Sequence, residues 1–99
     1  MTVVEIKEAA NRIIAGNEHK YGGKDNYGKP KREYIEKLVQ MTDEQLFEEM
    51  KSKIWLSAYA ANNPRSDYHF HCDATWDEGK RRGKSDLYGE AHRKVSESI

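Results

Sequence analysis

The chain has one cysteine, Cys72, and two prolines, Pro30 and Pro64. A single thiol excludes an intrachain disulfide, so the chain does not read as a small secreted domain stapled by cross-links. No run of about 18 apolar residues occurs, which excludes a helix able to span a bilayer. Net charge is missing too: 17 Lys plus Arg balance 17 Asp plus Glu. That balance disfavours a globally basic nucleic-acid binder and a globally acidic DNA mimic, and leaves only local patches. The opening MTVVEIKEAANRI carries acids early and has no pure apolar core, unlike a signal peptide. The expected compartment is the cytoplasm. There is no P-loop pattern, no C-x-x-C and no H-x-x-x-H, so neither a nucleotide cradle nor a standard zinc pattern is expected.

What is present is a soluble-domain composition. The 99 residues are 36% hydrophobic and 34% charged, with aromatics and aliphatics recurring along the whole length. That is too apolar for disorder. It suits one domain, 1–99, burying roughly 60–65% of the surface its unfolded chain exposes.

Helical periodicity dominates. Thr2 with Glu5 has the spacing of a capping box, and Val3, Ile6, Ala10, Ile13 and Ile14 recur at helical intervals, predicting a first helix over 3–15. The following NEHKYGGKDNYGKPK is turn chemistry, predicting a long loop over about 16–30 rich in Gly, Tyr and Lys. Pro30 suits the start of a second helix, with Tyr34, Ile35, Leu38 and Val39 as its apolar stripe. Thr42 with Gln45 marks the start of a third. Its first half shows one apolar face: Leu46, Phe47, Met50 and Ile54. Its second half, IWLSAYAA, is apolar nearly all round, which predicts a buried Trp55 and places 54–61 at the centre of the fold. Asn62, Asn63 and Pro64 end it. Ser66 and Gly83 bracket a fourth helix, and Ser85 precedes a fifth carrying Leu87, Tyr88, Ala91 and Val95. The expected fold is an all-α bundle of about five helices.

The chemically densest stretch is DYHFHCDATWDE, 67–78, with two histidines, the cysteine and a tryptophan. On a strand His69 and His71 would share a face and could chelate a metal; on a helix they point about 200° apart. Tyr68, Cys72 and Trp76 recur at fours, which favours a helix facing the core through them and Gly79. Phe70, Asp73, Asp77 and Arg81 then face outward. A zinc site from His69, His71 and Cys72, completed by His19 or His92, has fitting ligand chemistry but unsuitable spacing. His69 with Asp73 reads more simply as a surface contact, and Cys72 as a small buried hydrophobe. No metal, cofactor or catalytic residue is expected. Lys80, Arg81, Arg82 and Lys84 could touch phosphates, although Asp77 and Glu78 answer much of that charge locally.

The string NNPRSDYHFHCDATWDEGKRRGKSDLYGEAHRKV resembles small accessory proteins of tailed phages and prophages. The likeness lies in Tyr68, Trp76, Asp77, Glu78, the KRRG segment and the Leu87–Tyr88 pair. It covers the last third of the chain. It implies a compact non-enzymatic protein that binds and modulates a host protein complex in the host cytoplasm, such as a defence system of the CRISPR or restriction kind. The residues expected at the contact are Tyr21, Tyr27, Phe70, Asp73, Asp77 and Arg81, since exposed aromatics and arginines most often anchor interfaces. The alternatives are a small nucleic-acid-binding regulator, or a metal-dependent enzyme using His69, His71 and Cys72.

Overall fold

The computed structural model describes residues 1–59 and 67–98, with the side chain of Tyr59 excepted. Among them are six helices: α1 (Val3–Ile14), α2 (Glu18–Tyr21), α3 (Lys31–Val39), α4 (Asp43–Tyr59), α5 (Tyr68–Arg81) and α6 (Leu87–Glu97). The only strand-like pairing among the described residues is an isolated antiparallel bridge, Lys24 with Pro30. The all-α expectation therefore holds. The expected helix stop at Asn62–Pro64 and the Ser66 cap fall outside the described residues.

Local sequence signals account for the boundaries. The Thr2–Glu5 box forms in both directions, with Thr2 Oγ1 accepting from the Glu5 amide at 3.2 Å and Glu5 Oε1 from the Thr2 amide at 3.1 Å. The second box forms likewise: the Gln45 amide donates to Thr42 Oγ1 at 3.1 Å, and the Thr42 amide to Gln45 Oε1 at 2.9 Å. Gly83, with φ +74°, follows α5 and ends it.

The segment expected to be one long loop has internal order. Asn17 introduces the single turn of α2. Residues 22–30 then close on themselves: Asp25 Oδ1 accepts from the Tyr27 and Lys29 amides, each at 2.9 Å. Asp25 N–H donates to the Lys29 carbonyl at 2.8 Å. Gly28 holds the turn with φ +82°, a conformation that costs a side-chain-bearing residue but not glycine. Turn residues signalled non-helical chain here, but a four-residue helix is too short for periodicity to reveal.

One hydrophobic cluster draws on all six helices, through Ala10, Tyr21, Leu38, Met50, Ala74 and Val95 among others. The hub is α5, which touches α1, α3, α4 and α6, while α4 packs most extensively on α5 and α6 and α1 on α3. Over 54–58, the part with described side chains, this corrects the expectation that 54–61 is central. Ile54 is buried, but Trp55 is 49% exposed. A helical stretch apolar nearly all round predicts burial only if neighbours surround it, and α4 is covered mainly on the side facing α5 and α6.

Candidate functional site

The buried side of α5 is not the one hydrophobic residues suggest. Cys72 and Gly79 are buried as expected, but so are Ala74, Thr75 and Glu78, while Trp76 is 41% exposed. At 100° per residue the buried face is rotated by roughly 80° from the Tyr68–Cys72–Trp76 line. Two polar residues with hydrogen-bond partners, Thr75 and Glu78, lie on that face. Thr75 Oγ1 donates to the Cys72 carbonyl at 2.9 Å.

Glu78 is 0% exposed and is clamped by two arginines. Arg81 donates through Nε at 2.6 Å and Nη2 at 2.8 Å, and Arg82 through Nε at 2.7 Å. Hydrogen bonding to Glu78 raises the pKa of Arg81. Arg82 reaches further, donating to the carbonyls of Leu38 at 2.9 Å and Met41 at 2.7 Å, and to Asp43 at 3.0 Å. It thus adds a donor to carbonyls where α3 ends, and ties that end to the start of α4. The i, i+3 and i, i+4 spacing of Glu78 from these arginines is legible in sequence; the reach to Leu38 and Met41 is not. Of the four basic residues considered for phosphate contact, Arg81 and Arg82 are committed inside the fold, and Lys80 and Lys84 remain at the surface.

The six residues expected at a contact surface separate into two groups. Tyr21 is 2% exposed, and its hydroxyl donates to the Asp77 carboxylate. Lys20 Nζ lies 3.8 Å from the same carboxylate, whose side chain is 12% exposed. Burial first, and the Asp77 bond second, raise the Tyr21 phenol well above its ordinary value. Phe70 packs between Tyr21 at 5.9 Å and Tyr34 at 5.6 Å, with Lys31 Nζ 5.2 Å from its ring centre. Tyr21, Phe70 and Asp77 are therefore internal fastenings joining α2, α3 and α5, and Arg81 is engaged on Glu78 within α5. The reason is tertiary: α2 and α3 cover the side of α5 that helix geometry left open. Tyr27 and Asp73 do lie at the surface.

The histidines and the cysteine do not converge. His69 is exposed, Cys72 is buried, and His71 stacks on Tyr34 with ring centres 4.1 Å apart. Among the described residues no three His, Cys, Asp or Glu side chains group as a metal site requires.

The outer strip of α5 consists of His69, Asp73, Trp76 and Lys80, all exposed at i, i+4, i+7 and i+11. Lys80 Nζ stands 4.8 Å from the Trp76 ring centre, and Tyr88 of α6 flanks it at 6.4 Å. The second tryptophan, Trp55, lines an open cleft of about 480 Å³ between α4 and α6, with Lys51, Ser52, Lys94 and Val95.

No protein-family model, no curated protein and no solved structure matches this chain.

Proposed function

We propose that this chain is a non-enzymatic interaction protein that binds another protein stoichiometrically through its exposed tryptophans, Trp76 above all. One observation carries the reading: neither tryptophan belongs to the hydrophobic cluster. Both are held at the surface on well-formed helices. A tryptophan contributes a large apolar area with a donor N–H, and it is among the side chains most enriched at interface anchor positions. Trp76 sits in a mixed setting, with Asp73 and Lys80 on its own strip and Tyr88 beside it. An anchor of that kind is an apolar centre within a polar rim. Tyr27 and Asp73 stay in the proposed surface as exposed residues, whereas Tyr21, Phe70, Asp77 and Arg81 act behind it. The resemblance to phage and prophage accessory proteins supports a host protein complex as the partner, met in the host cytoplasm.

The test is affinity capture from a candidate host with the parent protein and with Trp76→Ala and Trp55→Ala, each first matched for helicity and melting temperature. The expected result is one protein that co-purifies in stoichiometric amount with the parent and is lost with Trp76→Ala. Equal recovery of that protein by both variants would show the surface to be wrong. Turnover of a substrate by sub-stoichiometric protein would remove the non-enzymatic reading itself.

A further inference from the structure

His71 lies where α3, α4, α5 and the 22–30 turn meet. Its ring stacks on Tyr34, with Phe70 5.1 Å and Tyr68 6.2 Å away on its own helix. Its Nδ1 is the one buried side-chain nitrogen or oxygen, among the described residues, that has no hydrogen-bond partner. The charged groups acting on the ring are Lys53 and Glu49 from α4, Asp67 at the head of α5, and Asp25 from the turn. Lys29, Glu33 and Lys37 complete the lining of a cleft of about 270 Å³ that also includes His71 and Tyr34.

The three carboxylates that act on the ring are already engaged. Glu49 accepts from the Tyr34 hydroxyl at 2.6 Å. Asp25 accepts from the Tyr27 and Lys29 amides. Asp67 accepts the Asn26 amide through both oxygens at 3.2 Å, and so fastens the turn to the start of α5. A neutral imidazole leaves this arrangement undisturbed. A protonated one carries two N–H donors, and a buried donor without an acceptor loses its full hydration. It must then either admit water or draw a carboxylate from its present partner. Asp67 is the carboxylate whose withdrawal frees the Asn26 amide.

We propose that His71 is a proton-operated latch: when neutral it leaves Asp67 holding the Asn26 amide, and when protonated it claims Asp67 and releases that amide, next to exposed Tyr27. Burial, helped by Lys53, keeps the ring neutral at ordinary pH and opposes the pull of Asp67, Glu49 and Asp25. The latch stands on this geometry alone. Its use in regulating partner access to Tyr27 rests on the binding reading above, so the two can fail separately.

The experiment is an NMR pH titration of the whole chain, following the His71 ring and the Asn26, Tyr27, Leu38 and Leu46 amides, with hydrogen exchange at each pH. The Asn26 and Tyr27 amides are expected to move with the midpoint of the His71 ring. Protection of the Asn26 amide is expected to fall about tenfold across that midpoint, as in a local opening, while Leu38 and Leu46 hold. His71→Gln, neutral at every pH, should abolish the transition. If His71→Gln does not fold, Asp67→Asn serves instead, because it removes the charge the protonated ring would attract and should leave Asn26 protection insensitive to the ring. An Asn26 amide that ignores the His71 titration, or a transition that persists in the folded variant, overturns the latch.

Discussion

At the residue scale, Glu78 and Trp55 invert what their residue types suggest. A glutamate is rarely buried unless paired, and Glu78 is fully buried because two arginines meet it. Removing it leaves Arg81 and Arg82 without their shared acceptor, and Arg82 is also what secures the end of α3. Glu78→Ala is therefore expected to destabilise by about 3 kcal/mol in urea unfolding, the low end for breaking a buried pair, because the arginines keep some access to water. Trp55, the residue whose truncation would be most costly if it sat in the core, is half exposed. Trp55→Ala should cost only about 1 kcal/mol, in keeping with partial burial of one aromatic. Met50→Ala, on the same helix but fully buried, should cost about 2–5 kcal/mol. Equal losses at the two positions would show that the exposed side of α4 is covered in solution.

At the element scale, two glycines inside helices have opposite consequences. A Cβ at Gly79 of α5 would stand 3.1 Å from Met50 Cε and 3.3 Å from the Lys84 carbonyl oxygen. The methionine end can yield, but the carbonyl belongs to the backbone that closes α5. Gly79→Ala is expected to lower stability by about 1 kcal/mol, overpacking outweighing the gain in helix propensity. At Gly89 of α6 nothing lies within 4 Å of a Cβ. Gly89→Ala should therefore raise stability by about 0.5–1 kcal/mol, the ordinary glycine-to-alanine difference in a helix. Melting temperatures that shift in the same direction for both variants would contradict this close packing of α5 against α4.

At the scale of the whole molecule, stability depends on pH from both sides. Burial lowers the His71 pKa from its ordinary 6.5, so below pH 6.5 the unfolded chain binds a proton that the native state refuses. Stability is full above that value and declines as pH falls through it toward the native pKa. Asp25 and Asp43 are held below the ordinary 3.8 by the Lys29 amide and by Arg82 respectively, and add a second loss at more acid pH. Tyr21 and Tyr34 are raised above the ordinary 10.0, chiefly by burial. The native state keeps their protons while the unfolded chain loses them, so stability falls again as pH rises through 10.0. Urea midpoints measured across pH should show a plateau between these limits. His71→Gln should flatten the limb beginning near 6.5 and leave the alkaline limb unchanged.

The sequence by itself determined the helical class, the caps at Thr2 and Thr42, the stop at Gly83, and the buried faces of α3 and α6, because each is set by neighbours within four residues along the chain. It also showed Glu78 spaced to meet Arg81 and Arg82. Only the tertiary structure decided which side of α5 is buried, since Thr75 and Glu78 find their hydrogen-bond partners within α5 and its cap, and it is the packing of other helices on that side that buries them. It alone placed Tyr21, Phe70 and Asp77 inside and both tryptophans outside. Hydrophobic periodicity records how apolar a face is, whereas burial depends on which elements pack around the helix, and α5 meets all five of the others.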